Sequence, residues 1–418
     1  MSQNKEESSI FTPILISASL ILLISFAIRS TFGLFQIPIA EQFFWARSEF
    51  SMAIAIQNLA WGIATPIFSA FAEKFGDRKA ITTGLLLYAL GIFISSTATS
   101  PEAHQFLNII IGFGIAGSGF GPILSIVGRS TSPEKRSLAL GLTTAAGSAG
   151  QVIGPPFAAY LLGTMPWSSV FVIFGIISLL TIILVPILKT NSSPPKNVVK
   201  EKLSDALVKA FKDPTYTMLF LGFFSCGFQL AFITAHFPAF IAEASSPIPQ
   251  GSLISLVCNS TTSLGALSIA IIGIFNIIGA ITAGALGKNY TKKYLLSFIY
   301  TGRAIVAIMF IMFPITPYSV ILFSIIMGAL WLATVPLTSG IIAHIYGLKF
   351  MGTLYGIVFL SHQIGSFVGV WLGGLFYDLY GSYTLVWWVA IAVGIFSALI
   401  HLPVKEIPLH ERKNLKFA

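Results

Sequence analysis

Charge is what this chain has least of. Asp, Glu, Lys and Arg make up only 9% of its 418 residues, against about 25% in a soluble domain. With 55% hydrophobic residues and a mean hydropathy of +0.85, that scarcity excludes an ordinary soluble fold and indicates a polytopic membrane protein. Cysteine is nearly absent too. Cys226 and Cys258 make neither a disulfide framework nor a metal motif, so no metal and no other cofactor is expected. No nucleotide-binding glycine loop appears, which argues against ATP drive. No nucleophile–base pair lies within the apolar runs, which argues against an enzyme and leaves no catalytic residue to name. The long apolar stretch after Ile10 is not a cleavable leader, and no lipidation signal is seen.

The acidic residues are missing from one place in particular. Apolar runs measured against the ~20 residues needed to span a bilayer give twelve helices, near 11–40, 50–72, 80–98, 105–127, 138–163, 168–189, 214–242, 263–286, 294–313, 317–345, 351–376 and 383–404. All fifteen Asp and Glu residues fall in loops, tails or helix ends. The membrane interior keeps two arginines, Arg29 and Arg303, with no carboxylate to neutralise them. An embedded guanidinium costs about 2.5–3.5 kcal/mol on insertion scales and marks a functional site by default. A cationic cavity without a counter-ion points to a small anion as the missing partner.

The net charge of +9 is a topology signal. Twenty-one of the 24 Lys and Arg residues lie in the tails and loops of one face, and the opposite loops hold only Arg47. By the positive-inside rule both termini are cytoplasmic, and nucleic acid is not a partner. Trp45 and Trp167 are expected at the outer interface as anchors. The segmentation is a tail 1–10, a six-helix half 11–189, a linker 190–213, a second six-helix half 214–404 and a tail 405–418. In the linker, after Pro194-Pro195, Val199, Leu203, Leu207 and Phe211 recur every four residues, predicting an amphipathic helix on the membrane surface.

The halves repeat. Ser69-x3-Glu73-Lys74-Phe75-Gly76-Asp77-Arg78 after helix 2 matches Gly284-x3-Lys288-Asn289-Tyr290-Thr291-Lys292-Lys293 after helix 8, 215 residues later. Gly150-x3-Gly154-x3-Ala158-Ala159 in helix 5 matches Gly365-x3-Gly369-x3-Gly373-Gly374 in helix 11 at the same offset. Ile39-Ala40-Glu41 matches Ile241-Ala242-Glu243 at 202. Parallel repeats of this kind rock about a midplane site, and glycines at every fourth position let helices approach closely.

Twelve helices in two halves, with this loop and this Gly-rich helix 5, resemble the major facilitator superfamily. The resemblance covers essentially the whole chain and implies an all-α 6+6 membrane fold working by alternating access. The loop motif usually reads Gly-x3-Asp-Arg/Lys-x-Gly-Arg-Arg/Lys. Here Ser69, Glu73 and Asp77 depart from it, and Glu73, Lys74, Gly76, Asp77 and Arg78 form the expected gating loop. Gly154-Pro155-Pro156-Phe157-Ala158-Ala159 resembles the antiporter motif of helix 5. In helix 4 Asn108 and Gly112 stand where drug–proton antiporters carry Arg and Gly, which weighs against drug efflux.

Arg29-Ser30-Thr31-Phe32-Gly33-Leu34-Phe35 looks like helix 1 of the monocarboxylate transporter and oxalate:formate antiporter group, in a bacterial branch. A basic residue there is associated with anionic substrate. The helix 8 Arg of those families is absent; Ala280 occupies its place.

The expected substrate residues are Arg29, as a bidentate carboxylate clamp, with Asn108, Gln151, Asn276, His362, Gln363 and Arg303. A structural role competes for each: interhelical hydrogen bonding for the amides, and a peripheral, snorkelling position in helix 9 for Arg303. His362, with a reference pKa near 6.5, is the candidate proton carrier; His236 is a weaker one. The expected function is secondary transport of a small organic anion, a monocarboxylate, by proton coupling or anion exchange, in a monomer embedded in the lipid bilayer of a bacterial cell membrane. A multidrug or metabolite exporter and a non-transporting receptor are the rivals.

Overall fold

The computed structural model describes residues 10–45, 47–188, 202–258 and 260–414. Most of the N-terminal tail, the first part of the linker with Pro194-Pro195 and Val199, and the last four residues lie outside them. Among the described residues every regular element is helical. The first expected span is α1 (Pro13–Arg29), a 3-10 turn (Phe32–Phe35) and α2 (Gln36–Phe43). Then come α3 (Arg47–Phe75), α4 (Asp77–Ser95), α5 (Pro101–Ser118) with α6 (Phe120–Ser130), α7 (Pro133–Leu162) and α8 (Trp167–Thr181). The linker helix is α9 (Leu203–Phe211). The second series is α10 (Pro214–Ala244), α11 (Thr261–Asn289), α12 (Lys292–Met312), α13 (Pro317–Leu330) with α14 (Thr334–Tyr346), α15 (Met351–Tyr380) and α16 (Thr384–His401), followed by α17 (Leu409–Asn414).

Eleven helical stretches among the described residues are long and apolar enough to cross a membrane. The expected fifth span, α7, is not one of them, although it runs for 30 residues. Half of its residues are Gly, Ala, Ser, Thr and Gln, and Glu134, Lys135 and Arg136 stand in its first turn. Its position fits that composition: α7 packs on α1 along one side and on α11 along the other, and its exposed apolar side chains, Ile153, Phe157 and Tyr160, lie in its second half.

Both bundles are built on close helix approaches. On α7, a Cβ at Gly150 would stand 2.1 Å from the Leu23 carbonyl oxygen, and one at Gly154 would stand 2.1 Å from that of Ala27. On α15, Gly365 and Gly369 meet Phe224 and Phe228 in the same way, at 2.1 and 2.4 Å. Leu23 to Phe224 and Ala27 to Phe228 are both 201 residues, one fewer than the offset of 202 past the turn. The 3-10 turn after Arg29 accounts for the difference: it rises about 2.0 Å per residue against about 1.5 Å in α10, so the first bundle covers the same length with one residue fewer.

The bundles touch along α3 with α15 and along α7 with α11. These two seams are copies of each other. A Cβ on Gly141 would lie 2.8 Å from the Ala280 carbonyl oxygen, and one on Gly356 would lie 2.8 Å from Pro66 Cα; Gly141 and Gly356 are 215 apart. We call the end where α3 turns into α4, and where α9 lies, the linker face. Gly76, at φ +105°, makes that turn, a conformation that only glycine adopts without strain.

Three expectations change. Helix 1 is not continuous but breaks at Arg29. Helices 4 and 10 break as well, at Gly119 and at Trp331–Ala333, 212–214 residues apart and so just short of the repeat offset. Trp167 is no lipid anchor: it is 6% exposed, donates from Nε1 to Gln42 Oε1 at 2.6 Å and packs on Phe43, His104 and Phe171.

Packing at the glycine crossings sets a stability test. Gly365→Val forces a side chain into the α10 backbone and is expected to cost about 1–3 kcal/mol, read as a lowered melting temperature in detergent. Gly374→Ala, where a Cβ would meet nothing within 4 Å, should leave the melting temperature unchanged. Equal melting temperatures for the two variants would refute the close-approach account.

Candidate functional site

The break after Arg29 sets the site. α1 ends there, and its last carbonyls are taken by local hydroxyls: Ser30 Oγ donates to Ala27 O at 2.9 Å and Thr31 Oγ1 to Ile28 O at 2.7 Å. A cation at a helix C-terminus is also favoured by the helix dipole. The Arg29 guanidinium donates from Nη2 to Asn58 Oδ1 at 2.7 Å, and Cζ lies 4.5 Å from the Trp61 ring centroid. Its Nε is buried without a hydrogen-bond partner. Among the described residues no Asp or Glu is ion-paired with it. With Phe26 at 6.0 Å as a second ring, the guanidinium has one neutral acceptor, two aromatic neighbours and donors to spare.

Two routes lead from Arg29 to His362, and both cross from one bundle to the other. The polar route runs through Asn58, whose carbonyl oxygen accepts from Gln363 Nε2 at 3.1 Å. Gln363 Oε1 in turn lies 3.1 Å from His362 Nδ1. The aromatic route runs from Trp61 to Phe359, with centroids 4.9 Å apart, and from Phe359 to the stacked His362 ring at 5.2 Å and 11°. His362 is 8% exposed, and its Nε2 has no hydrogen-bond partner.

The other expected residues divide. Asn276 crosses the second seam: Nδ2 donates to Ser148 Oγ at 2.8 Å, and Oδ1 accepts from the Leu332 amide at 2.9 Å, inside the α13–α14 break. Gln151 is half-buried on α7, the helix that carries Ser148. Asn108 lies within the first bundle, accepting from Gln57 Nε2 and donating to His104 O, both at 2.8 Å. Arg303 is 0% exposed. It donates to Leu330 O from Nε at 3.0 Å and from Nη2 at 2.6 Å, bonds the Trp331 carbonyl, and reaches Gln229 Oε1 at 3.5 Å. The structure thus wires Arg303 to the end of α13 and does not bring it to Arg29. His236, the weaker candidate, bonds Val370 O at 3.0 Å.

The gating loop is engaged at the linker face. Glu73 Oε1 accepts from the Thr353 amide at 2.9 Å, and Oε2 accepts from Thr353 Oγ1. Thr353 is the third residue of α15, so a carboxylate from one bundle caps a helix N-terminus of the other. Asp77 pairs with Arg129 at 2.5 Å, Arg78 bonds the Pro186 carbonyl, and Lys74 Nζ stands 4.9 Å from the Phe75 ring.

Neither Asn58 nor Trp61 stands out in the sequence as a site residue. Each matters because the fold sets it against Arg29, 29 and 32 residues away in the chain. The absence of any nearby carboxylate was the signal that could have prompted the search.

A helical, multi-pass membrane protein in which two repeated bundles meet around a polar centre is the architecture of a carrier. The chain matches the family model of the Major Facilitator Superfamily over residues 18–339 and 259–417, and it belongs to that superfamily of transporters. It is similar to an MFS-type transporter, YcxA, of Bacillus subtilis (strain 168), at 26% identity over 93% of this chain and 92% of that one. It is also similar to monocarboxylate transporter 13 of Bos taurus, at 23% identity over 93% and 89%. Among solved structures, the E. coli fucose:proton symporter FucP superposes with a TM-score of 0.70 at 17% identity, covering 94% of this chain and 99% of that one. The proton:xylose symporter XylE superposes with a TM-score of 0.70 at 14% identity, covering 97% and 98%.

The Glu73 cap gives a prediction. Glu73→Ala leaves the α15 N-terminus uncapped, at a cost of about 0.5–2 kcal/mol, and loosens the linker-face seam. In a cysteine-free background, Thr353→Cys should then react faster with a membrane-impermeant maleimide when Glu73→Ala is added. An unchanged rate would show that the cap does not hold the seam.

Proposed function

We propose that the protein is a secondary carrier of a small organic anion, a monocarboxylate, which it moves by alternating access. The observation that carries this reading is the Arg29 guanidinium, held by Asn58 and Trp61 with its Nε unpartnered and, among the described residues, no Asp or Glu ion-paired with it. A carboxylate supplies the missing charge and accepts the spare donors in a charge-assisted, forked geometry. Trp61 and Phe359 offer an apolar wall beside it. Gln363, His362, Asn276 and Gln151 line the seams along which the bundles part, and Asn108 holds Gln57 of α3 behind them. Arg303 acts from the α13–α14 break, as a positioning residue. His362 is the proton carrier if transport is proton-coupled.

We read the chain as twelve spans in two halves, 11–189 and 214–404, with α7 as the fifth. The tails and the linker 190–213 are cytoplasmic, as the distribution of Lys and Arg requires. The protein works as a monomer in a bacterial cell membrane. The names of the monocarboxylate transporter relatives support an anionic substrate. Export of drugs or other metabolites is the second reading, and the neutral Asn108 in helix 4 weighs against it.

Uptake of labelled lactate, pyruvate, acetate, formate and oxalate into proteoliposomes, with and without a pH gradient, tests the proposal. Arg29→Gln is expected to lower uptake at subsaturating substrate by about 30-fold or more, the equivalent of about 2 kcal/mol for a lost buried charge contact. Equal uptake by wild type and Arg29→Gln, or no uptake of any acid, would move the exporter reading to the front.

A further inference from the structure

At the 215-residue offset the second bundle carries a cluster of polar side chains around one thiol that has no counterpart in the first. In each bundle the broken helix is tied to the bundle's first helix. In the first, Ser25 Oγ donates to Ser118 Oγ at 2.9 Å, Ser118 Oγ donates to Gly114 O at 3.1 Å, and Tyr88 Oη donates to Ser25 O at 3.2 Å. That knot is neutral and its hydroxyls are all hydrogen-bonded.

In the second bundle Cys226 takes the place of Ser25, at the 201 offset of the first helices, and lies 3.2 Å from Thr334 Oγ1. Arg303 takes the place of Tyr88. Around Cys226, three polar side chains stand where the first bundle has apolar ones or none: Tyr300 for Leu85, Tyr355 for Leu140 and His362 for Gly147. Tyr300 and His362 flank the thiol, and Tyr355 lies within its electrostatic reach. The three are 0%, 0% and 8% exposed. Tyr300 Oη, Tyr355 Oη and His362 Nε2 all lack a hydrogen bond of normal length and angle. Tyr300 and His362 have only the weak Cys226 thiol and, for Tyr300, Thr334 within reach, and a buried polar group left without a good partner costs up to about 1–3 kcal/mol. Three such groups around one thiol describe a site for something small and polar.

We propose that this cluster is a proton-loading site: it holds water between Tyr300, Tyr355 and His362, and His362 Nε2 takes up the proton. The proposal rests on the reading of His362 as proton carrier and adds the residues that serve it. The step is a single proton transfer, from a hydronium ion reaching the cluster to the neutral imidazole, with no other bond made or broken. The other ring nitrogen, Nδ1, faces Gln363 Oε1. The imidazolium therefore donates along the polar route that ends at Arg29.

The charged and titratable groups around His362 are Cys226 on α10, Tyr300 and Arg303 on α12, Tyr355 on its own helix and, through Gln363 and Asn58, Arg29 on α1; α14 contributes the non-titrating Thr334. The charged ones are both cations, and an anion at Arg29 offsets them. Proton and anion then favour each other's binding, and reciprocally.

The test uses the full chain with Cys258→Ala, so that Cys226 alone reports. Its S–H stretch is followed by infrared difference spectroscopy in nanodiscs between about pH 5 and 8, where a histidine titrates. The expected result is a pH-dependent shift of the S–H band that disappears in His362→Gln and persists in Arg29→Gln. A band that does not move with pH, or moves equally in His362→Gln, overturns the proposal. A titrating band in a protein that carries no monocarboxylate would retain this site and reject the anion reading, so the two fail separately. In transport, Tyr300→Phe with Tyr355→Phe should lower pH-driven accumulation by about 5-fold or more relative to counterflow exchange, the lower range of a coupling free energy. An unchanged ratio in a monodisperse variant counts against the cluster.

Discussion

A helix broken inside a membrane must find partners for its loosened backbone groups, because no water reaches them from the lipid side. This protein breaks three of its helical units within the bundles, after Arg29, at Gly119 and at Trp331–Ala333, and much of its interior chemistry is organised by those breaks. Ser30 and Thr31 take the last carbonyls of α1. Arg303 takes those of Leu330 and Trp331. Asn276 takes the Leu332 amide and, by bonding Ser148, joins the break to the opposite bundle. Groups that satisfy a break are polar by necessity, so polar side chains collect at the breaks. A substrate or a proton can then use what the backbone first required.

The repeat makes the division of labour visible. Positions that set helix spacing agree between the bundles: Gly150 and Gly154 with Gly365 and Gly369, and Gly141 with Gly356. Close approach is the same demand in both, and only the smallest residue meets it. Positions that carry charge disagree. Arg29 corresponds to Leu230 at the offset of its helix, Tyr88 to Arg303 and Gly147 to His362. One bundle thus presents an unpaired guanidinium. The other presents a histidine, a thiol and a guanidinium already occupied by carbonyls. The two routes between Arg29 and His362 cross the α3–α15 seam, so parting the bundles there would sever both.

Much of this was legible from sequence for one reason. The membrane restricts the vocabulary so strongly that every departure from apolar residues carries information. Arg29 stood out by that argument, and so did the glycine register, which reappears in the helix crossings. The breaks were not legible: Ser30-Thr31-Phe32-Gly33 differs little in hydropathy from a continuing helix, and the turn is stabilised by local hydroxyl bonds. Trp167 read as an interfacial anchor because its position near a helix end fits that role, whereas Gln42, 125 residues earlier, takes its indole N–H. The small, polar composition of α7 fits its neighbours on two sides, which only packing reveals.

By itself the sequence determined the helical class, the repeat and its offset, and the presence of two embedded cations without a counter-ion. Each follows from composition and spacing, which a bilayer constrains residue by residue. Only the tertiary structure decided that the two arginines differ. Both are guanidinium groups in apolar segments, but Arg303 faces the carbonyl oxygens that a broken helix leaves free, and half-buried Arg29 faces one amide and the rings of Trp61 and Phe26. Whether a charge is spent on the fold or kept available depends on the acceptors within about 3 Å of it, and chain position does not specify those.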